Sequence, residues 1–246
     1  RRRHTRYWRD WSSDVCSSDL NSDFDLSPSL ALNTNIVGTQ NLLEIAAAKK
    51  IRHFVFASSE WIYPESAEVI PLEESSTLDL HSLKSKYGLS KLFSELMLKQ
   101  TASVPTTILR FGIVYGPRPK PASAVEKLTW DAFAGNRIEV KSPESSRCFI
   151  HVDDLVEGIV KTSVGAPKRQ FETFNLSGDK LVSMRQVIET LQQILNKQLV
   201  VSYGVDIPSQ RFPINYKFKK QFDWNPQIDL NSGISQLLSY YRKIRN

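Results

Sequence analysis

The sequence contains few of the residues on which metal centres and disulfide scaffolds depend. Its 246 residues include only 2 cysteines and 4 histidines. Two cysteines are too few for a disulfide framework, and neither residue type has the short spacing of zinc ligands. No apolar run approaches the roughly 18 residues that a membrane span requires. We therefore expect a cytoplasmic protein with reduced thiols, without a bound metal and without a membrane partner.

Glycine and uninterrupted basic segments are scarce as well. The 10 glycines include no glycine-rich loop of the kind that holds a nucleotide pyrophosphate at a helix N-terminus. Basic residues exceed acidic residues by 32 to 26, which gives a net charge of +6, but no basic run follows an evident helix face. This balance indicates a solvated surface with a few anion-binding arginines, and we expect no nucleic-acid partner.

The first twenty residues, RRRHTRYWRDWSSDVCSSDL, show no pattern of a folded segment. They lack the apolar stretch of a secretory signal, and their three aspartates do not suit an arginine-rich transit peptide. No helical or strand period runs through them. We interpret residues 1–20 as non-native or artefactual and read the fold from Asn21 onward.

Strand-like and helix-like segments alternate along the rest of the chain. The apolar runs 53–58, 106–111 and 171–176 predict buried parallel strands, and long helices are predicted at 28–50 and 85–103. The other predicted elements are helices at 121–135, 153–164, 184–196 and 229–242, and short strands at 137–141, 149–152 and 199–203. Alternation of this kind is typical of an α/β fold with a parallel sheet.

Three helix starts carry capping signals. Ser27 is expected to cap the first helix, with Pro28 at the first helical position. Asp153 is expected to cap the helix that follows it. Ser183 and Gln186 have the spacing of a capping box.

A tyrosine and a lysine four residues apart form the candidate catalytic pair. Tyr87 and Lys91 fall on one face of the predicted 85–103 helix. A phenol has a pKa near 10, and a neighbouring ammonium lowers that pKa, so the tyrosine can exchange a proton near neutral pH. Tyr216 and Lys220 have the same spacing, but only Tyr87 follows a predicted strand that ends in a serine, Ser59. Active sites of open α/β sheets lie at that edge, so we expect Tyr216 to be a structural or surface residue.

The chain resembles the extended short-chain dehydrogenases/reductases, specifically the NAD-dependent epimerase/dehydratase family. The segments that carry the resemblance occur in the family's order and lie at 35–44, 54–63, 85–91, 109–118, 147–155, 174–178 and 224–226. Among them, Ser-Lys-Tyr-Gly-Leu-Ser-Lys is similar to the family's S-x-Y-G-x-S-K. Arg-Cys-Phe-Ile-His-Val-Asp-Asp-Leu is similar to its R-D-F-I-H-V-D-D-L.

The resemblance implies a role for each residue of the catalytic and cofactor sites. Tyr87 would be the general acid/base, Lys91 would tune it and contact the cofactor ribose, and Ser59 would hydrogen-bond the reacting hydroxyl. Asn35 and Ser58 would lie beside an NAD or NADP cofactor, as would Tyr87 and Lys91. The hydride would pass through the bound nicotinamide.

The resemblance also implies a sugar-nucleotide substrate. Arg147 and Arg211 would grip its diphosphate, because guanidinium geometry suits phosphate, although each could instead be a surface charge. Ser59 would contact the sugar. Glu60, which departs from the family pattern, could still touch the substrate or make no contact with it. Glu60 and Trp61 replace the Asp-Glu pair of the 4,6-dehydratases, which argues against dehydration, and Ile113 replaces an asparagine of the epimerases.

The implied fold is a truncated Rossmann-type doubly wound parallel sheet with a small C-terminal α/β substrate domain. Residues 21–120 and 149–178 would form the remainder of the dinucleotide-binding domain, and residues 121–148 and 179–246 the substrate domain. The family's glycine-rich motif and first strands are expected to lie upstream of Asn21. The chain as given is therefore expected to be inactive. The full-length protein could form a homodimer.

The sequence thus predicts an NAD(P)-dependent enzyme that epimerises a sugar nucleotide through transient hydride transfer. Two alternatives remain open. One is an NAD(P)H-dependent reductase of a keto-sugar nucleotide or small carbonyl, and the other is a non-catalytic Rossmann sensor or scaffold protein.

Overall fold

The computed structural model describes residues 27–245. The prediction made for residues 1–20, and the one made for a start upstream of Asn21, lie outside these residues. The described chain divides into two compact units. Unit 1 contains the residues up to Pro64, Thr77–Leu109 and Gly165–Thr173, and unit 2 contains Glu65–Ser76, Arg110–Val164 and the residues from Phe174 onward. These boundaries are not those of the proposed dinucleotide and substrate domains, so that assignment stays a prediction.

The first helix of unit 1, α1, has three consecutive parts. Pro28–Leu32 and Gly38–Ala48 are α-helical, and a π-helical turn over Asn33–Val37 joins them. Pro28 lies in the first turn as expected, but Ser27 makes no side-chain cap hydrogen bond, so the predicted serine cap is wrong. The missed π turn has functional interest, because such turns occur frequently at functional sites.

A three-stranded sheet follows α1, with the order β1-β3-β7. The strands are β1 (Phe54–Ser59), β3 (Thr106–Phe111) and β7 (Phe171–Leu176), and helix α2 (Lys86–Thr101) lies between the first two in sequence. The strands start at the same edge, because Phe54 N–H donates to Pro105 O and Thr106 N–H donates to Gln170 O. The sheet is therefore parallel, as the apolar runs predicted.

The core of unit 1 lies between this sheet and its helices. It consists of Leu43, Ala46, Phe56, Leu98, Val104 and Ile108. Full burial of a leucine, isoleucine, valine or phenylalanine side chain stabilises a fold by about 1.5–3 kcal/mol. Strands β3 and β7 begin in unit 1 and end in unit 2.

Unit 2 contains two further sheets. The larger has the order β2-β10-β6-β4, and β8 pairs antiparallel with β6, while β5 pairs parallel with β9. The strands are β2 (Pro71–Leu72), β4 (Ile113–Tyr115), β5 (Ile138–Val140), β6 (Ser146–His151), β8 (Leu181–Ser183), β9 (Val201–Tyr203) and β10 (Gln210–Pro213). The helices of unit 2 are α3 (Ala124–Ala134), α4 (Val152–Val164), α5 (Met184–Leu195), α6 (Tyr216–Phe222) and α7 (Leu230–Arg245).

The second core packs α3, α5 and α7 together around residues that include Tyr115, Leu191 and Leu237. The Ser183–Gln186 capping box is present, and a second box, unforeseen from the sequence, joins Ser123 and Glu126. Helix α4 begins at Val152, so Asp153 lies inside the first turn and the predicted cap at that residue is wrong.

No helix within residues 27–245 is long and apolar enough to cross a membrane. The same part of the chain contains no group of three or more potential metal-ligating side chains.

Candidate functional site

Helix α2 holds the tyrosine and lysine of the predicted catalytic pair on its buried face. Ser85 caps the helix by accepting a 3.0 Å hydrogen bond from Gly88 N–H. Tyr87 is 8% exposed and Lys91 is 3% exposed. The Lys91 ammonium donates to Ala57 O at 3.0 Å and lies 5.7 Å from the centroid of the Tyr87 ring. A buried ammonium is tolerated only with such partners, and here it brings a positive charge beside the phenol.

Gly88 lets this helix approach the turn that follows β1. A Cβ atom at Gly88 would lie 2.3 Å from Trp61 O, a distance that real Cβ atoms do not adopt. The turn itself starts at Ser59, whose hydroxyl oxygen accepts from Trp61 N–H at 3.3 Å. Trp61 also packs against Tyr87 and Ala31. The glycine of the Tyr-Gly-Leu-Ser-Lys segment therefore brings the Ser59 turn against the start of α2.

Ser58 and Glu95 form a second link between β1 and α2. The Ser58 hydroxyl donates to Glu95 Oε1, and both residues are buried. The hydrogen of Ser58 is thus engaged within the protein, and its predicted contact with a cofactor stays a prediction. Sequence reasoning missed Glu95. Its position four residues after Lys91 on the same helix face was the signal that could have found it.

Asn35 lies in the π-helical turn and ties α1 to α2. Its side-chain amide donates to Ser90 Oγ at 2.9 Å, and Ser90 Oγ donates to Tyr87 O at 2.8 Å. The main-chain carbonyl oxygen of Asn35 accepts hydrogen bonds from Thr39 Oγ1 and from Ser94 Oγ. Asn35 is 1% exposed, so the residue predicted to lie beside the cofactor is anchored to the helix that carries Tyr87.

Glu60 follows Ser59 in a single 3-10 turn, Glu60–Ile62, and is fully buried. Its predicted contact with the sugar stays a prediction. Tyr216, the tyrosine of the competing Tyr/Lys pair, is 68% exposed at the start of α6, so of the structural or surface position expected for it the structure has the surface one.

In unit 2, Arg147 and Arg211 lie side by side. Arg147 is on β6 and Arg211 is its partner in the parallel register with β10. Glu65 Oε1 accepts from Arg147 Nη2 at 2.7 Å and from Arg211 Nη2 at 3.0 Å. Sequence reasoning proposed both arginines for the diphosphate but missed Glu65, because nothing in the sequence around Glu65 indicates which strands it meets.

Arg147 is held by further contacts on β6 and on the segment before β10. Its Nη1 donates to Ser146 O at 2.8 Å and to Ser209 O at 2.7 Å, and its Nη2 donates to Ser209 Oγ at 2.8 Å. This guanidinium is therefore fixed by backbone and hydroxyl groups as well as by the carboxylate.

Comparison with known proteins identifies similar sequences. The profile of the NAD dependent epimerase/dehydratase family matches residues 22–176. A relative described as an uncharacterized UDP-glucose epimerase, YtcB of Bacillus subtilis, is 30% identical over 213 residues, which are 84% of this chain and 66% of the relative. A probable UDP-glucuronate 4-epimerase of Rhizobium meliloti is 26% identical over 242 residues, which are 87% of this chain and 69% of the relative. The chain thus spans about two thirds of the length of these relatives.

Solved structures show the same fold. UDP-glucose 4-epimerase of Thermotoga maritima, determined with UDP-glucose, superposes with a TM-score of 0.82 at 24% sequence identity. The superposition covers 94% of this chain and 77% of the Thermotoga maritima chain. UDP-glucuronic acid 4-epimerase of Bacillus cereus, determined with UDP-glucuronic acid and NAD, superposes with a TM-score of 0.77 at 24% sequence identity. This superposition covers 88% of this chain and 69% of the Bacillus cereus chain. These likenesses agree with the Rossmann-type fold expected from the sequence.

Proposed function

The chain belongs to the NAD dependent epimerase/dehydratase family, and on that premise we propose that it epimerises one carbon of a sugar nucleotide by transient oxidation. The cofactor of the proposed reaction is NAD or NADP. Relatives described as UDP-sugar epimerases, and family structures determined with NAD or NADPH, support this choice.

The arrangement of Lys91 beneath Tyr87 is the observation that carries the proposal. The ammonium is buried, hydrogen-bonded to Ala57 O and 5.7 Å from the centre of the phenol ring. A positive charge so placed stabilises a phenolate relative to the neutral phenol. In the proposed reaction, Tyr87 takes the proton from a sugar hydroxyl and later returns it, while Ser59 hydrogen-bonds the same oxygen.

The residues near Tyr87 fit the ribose and nicotinamide end of a dinucleotide. Ser58 and Ser59 end β1, and the Lys91 ammonium donates to Ala57 O beside them, at the edge where open α/β sheets bind ligands. The Asn35 amide donates to Ser90 on the helix that carries Tyr87. When bound, the nicotinamide supplies the acceptor and donor of the hydride. The glycines of the sequence form no G-x-x-G-x-x-G loop, so we assign no residue to the pyrophosphate.

Arg147 and Arg211 are the proposed anchors of the substrate diphosphate. Their guanidinium groups meet at one carboxylate, Glu65, and this contact supports an anion site. In the proposal, the diphosphate of a sugar nucleotide is the anion that they bind.

The test uses protein expressed from the complete gene and a UDP-sugar that carries deuterium on the reacting carbon. Incubation with NAD should give the epimer with the deuterium kept on the inverted carbon and without net formation of NADH, because the hydride that leaves this carbon returns to it. Tyr87→Phe should lower turnover by about 10² to 10⁴, the usual contribution of a general acid/base, while Tyr216→Phe should leave it unchanged. Net consumption of NADH with a keto-sugar would instead identify a reductase, and equal activity of the two variants would refute the catalytic assignment.

A further inference from the structure

We propose that Glu65 is a built-in substitute for the ligand diphosphate: its carboxylate occupies the arginine pair of unit 2 when no ligand is bound and leaves when the ligand arrives. The inference rests on the proposed function, in which Arg147 and Arg211 bind the diphosphate. It adds a third residue to that subsite and makes it a determinant of affinity.

The strand register creates the need for an anion. Arg147 and Arg211 are direct partners in the parallel pairing of β6 with β10, so two positive side chains lie next to each other. Like charges in such positions destabilise a sheet. Both side chains are also largely withdrawn from water, with 15% and 4% of their surface exposed, so solvent does little to weaken the repulsion.

Glu65 meets this need with a single oxygen. Its Oε1 accepts from both guanidinium groups, at 2.7 Å and 3.0 Å, and one carboxylate offsets one of the two positive charges. A diphosphate carries more negative charge than a carboxylate and offers more acceptor oxygens. The pair therefore suits a diphosphate better than it suits Glu65.

The carboxylate can leave without disturbing the backbone. The Glu65 side chain is 43% exposed, much more than either arginine. The next residue, Ser66, is fixed by an antiparallel bridge in which Ser66 N–H donates to Gln210 O at 3.2 Å and Gln210 N–H donates to Ser66 O at 2.7 Å. Rotation of the Glu65 side chain toward solvent is thus sufficient.

The Arg147 side of the site persists after the carboxylate leaves. Arg147 keeps its hydrogen bonds to Ser146 O, Ser209 O and Ser209 Oγ, none of which involves Glu65. Removing the charge of Glu65 should therefore leave a preformed anion site with one competitor fewer.

The test is calorimetric titration of the 246-residue chain with UDP and with inorganic pyrophosphate. Glu65→Gln should bind both probes about tenfold more tightly than the unaltered chain, since a hydrogen bond to a charged group no longer has to be broken. Glu144→Gln is the matched control, because Glu144 accepts from Arg185 Nε at 2.7 Å on the surface and its side chain is 53% exposed. This control should bind as the unaltered chain does.

The alternative is that Glu65 is a permanent structural partner of the arginines. Unchanged or weaker binding by Glu65→Gln would overturn the inference while leaving the diphosphate role of the arginines standing. A gain that persists in the double variant Glu65→Gln/Arg147→Gln would also overturn it, because the added affinity would then arise elsewhere. Absence of binding by both the unaltered chain and Glu65→Gln would instead refute the diphosphate role itself.

Folding is checked by thermal melts with and without pyrophosphate. If Glu65→Gln does not fold, Glu65→Asp serves in its place, since its shorter carboxylate should hold the two guanidinium groups less well and give an intermediate gain in affinity. Weaker binding by Glu65→Asp would count against the inference.

Discussion

At the scale of single residues, several buried polar groups in the described part of the chain have hydrogen-bond partners that the structure identifies. Lys91 donates to a backbone carbonyl, Ser58 donates to Glu95, and Asn35 donates to Ser90. His151 is different. Its Nδ1 accepts from Asp153 N–H at 3.3 Å, and its Nε2 is buried without a hydrogen-bond partner among the described residues.

Burial lowers the pKa of His151 below its usual 6.5, although Asp153 and Asp154 act in the opposite direction. A histidine whose folded-state pKa is depressed is neutral in the fold and binds a proton more readily when unfolded. Between the folded and unfolded pKa values, the unfolded chain therefore holds more protons, and stability falls as the pH drops below about 6.5. The pKa of His53 is lowered by burial too, so the two histidines act in the same direction.

We predict that the free energy of unfolding of the chain falls between pH 7 and pH 5, with each such histidine adding at most about 1.4 kcal/mol per pH unit. His151→Asn, which retains an acceptor for Asp153 N–H, should flatten this dependence, and His81→Asn at an exposed position should not. Urea denaturation at several pH values measures the pH dependence of the free energy of unfolding for the unaltered chain and for each variant. An identical pH slope in all three proteins would show that His151 titrates alike in the folded and unfolded states.

At the scale of elements, the approach of α2 to the turn after β1 depends on one glycine. A methyl group at Gly88 would lie 2.3 Å from Trp61 O and 3.0 Å from Trp61 C. These are backbone atoms, so no side-chain rotation can relieve the clash. Helix α2 would have to move away from the turn that holds Ser59.

Gly88→Ala should therefore destabilise the chain by about 1–3 kcal/mol, the usual effect of overpacking, although alanine has the higher helix propensity. Gln100→Ala on an exposed position of the same helix is the control and should change stability little. Chemical denaturation of both variants checks the expectation. A stabilised Gly88→Ala would mean that propensity outweighs the contact and that the approach of α2 to the turn is looser than described.

At the scale of the whole molecule, α1 and α2 each present an exposed apolar stripe. On α2 the stripe contains Leu89, Phe93 and Leu96, which are 39%, 55% and 50% exposed and recur at helical spacing. On α1, Val37 and Ile45 are 50% and 45% exposed. We predict that these side chains form the contact if the full-length protein is a homodimer, since exposed apolar surface marks interaction sites.

Phe93→Glu should then convert a dimer to a monomer, because it places a charge in an apolar contact. Val160→Glu is the control: Val160 is 51% exposed on α4, so the change is of similar size on another helix. Light scattering of the complete gene product, coupled to size-exclusion chromatography, gives the mass of each variant. A monomeric parent protein, or a Phe93→Glu variant that stays dimeric, would refute this surface.

The sequence by itself determined the features that depend on neighbouring residues. Strands β3 and β7 occur where their apolar runs predicted, and the box of Ser183 and Gln186 forms because its partners are three residues apart. Tyr87 and Lys91 share a buried helix face because they are four residues apart on one helix. The errors at Ser27 and Asp153 both concern helix ends. Ser27 is at the N-cap position, but its side chain makes no cap hydrogen bond, and the helix before which Asp153 was expected begins one residue earlier, at Val152.

Only the tertiary structure decided the contacts between distant residues. The register of β6 with β10 sets Arg147 beside Arg211 and so creates the place that Glu65 fills. The partnership of Ser58 with Glu95 and the fit of Gly88 against Trp61 O likewise join segments far apart in sequence. No local sequence pattern encodes such pairs. Each pair depends on how the strands and helices pack against one another, and not on the residues that form each element.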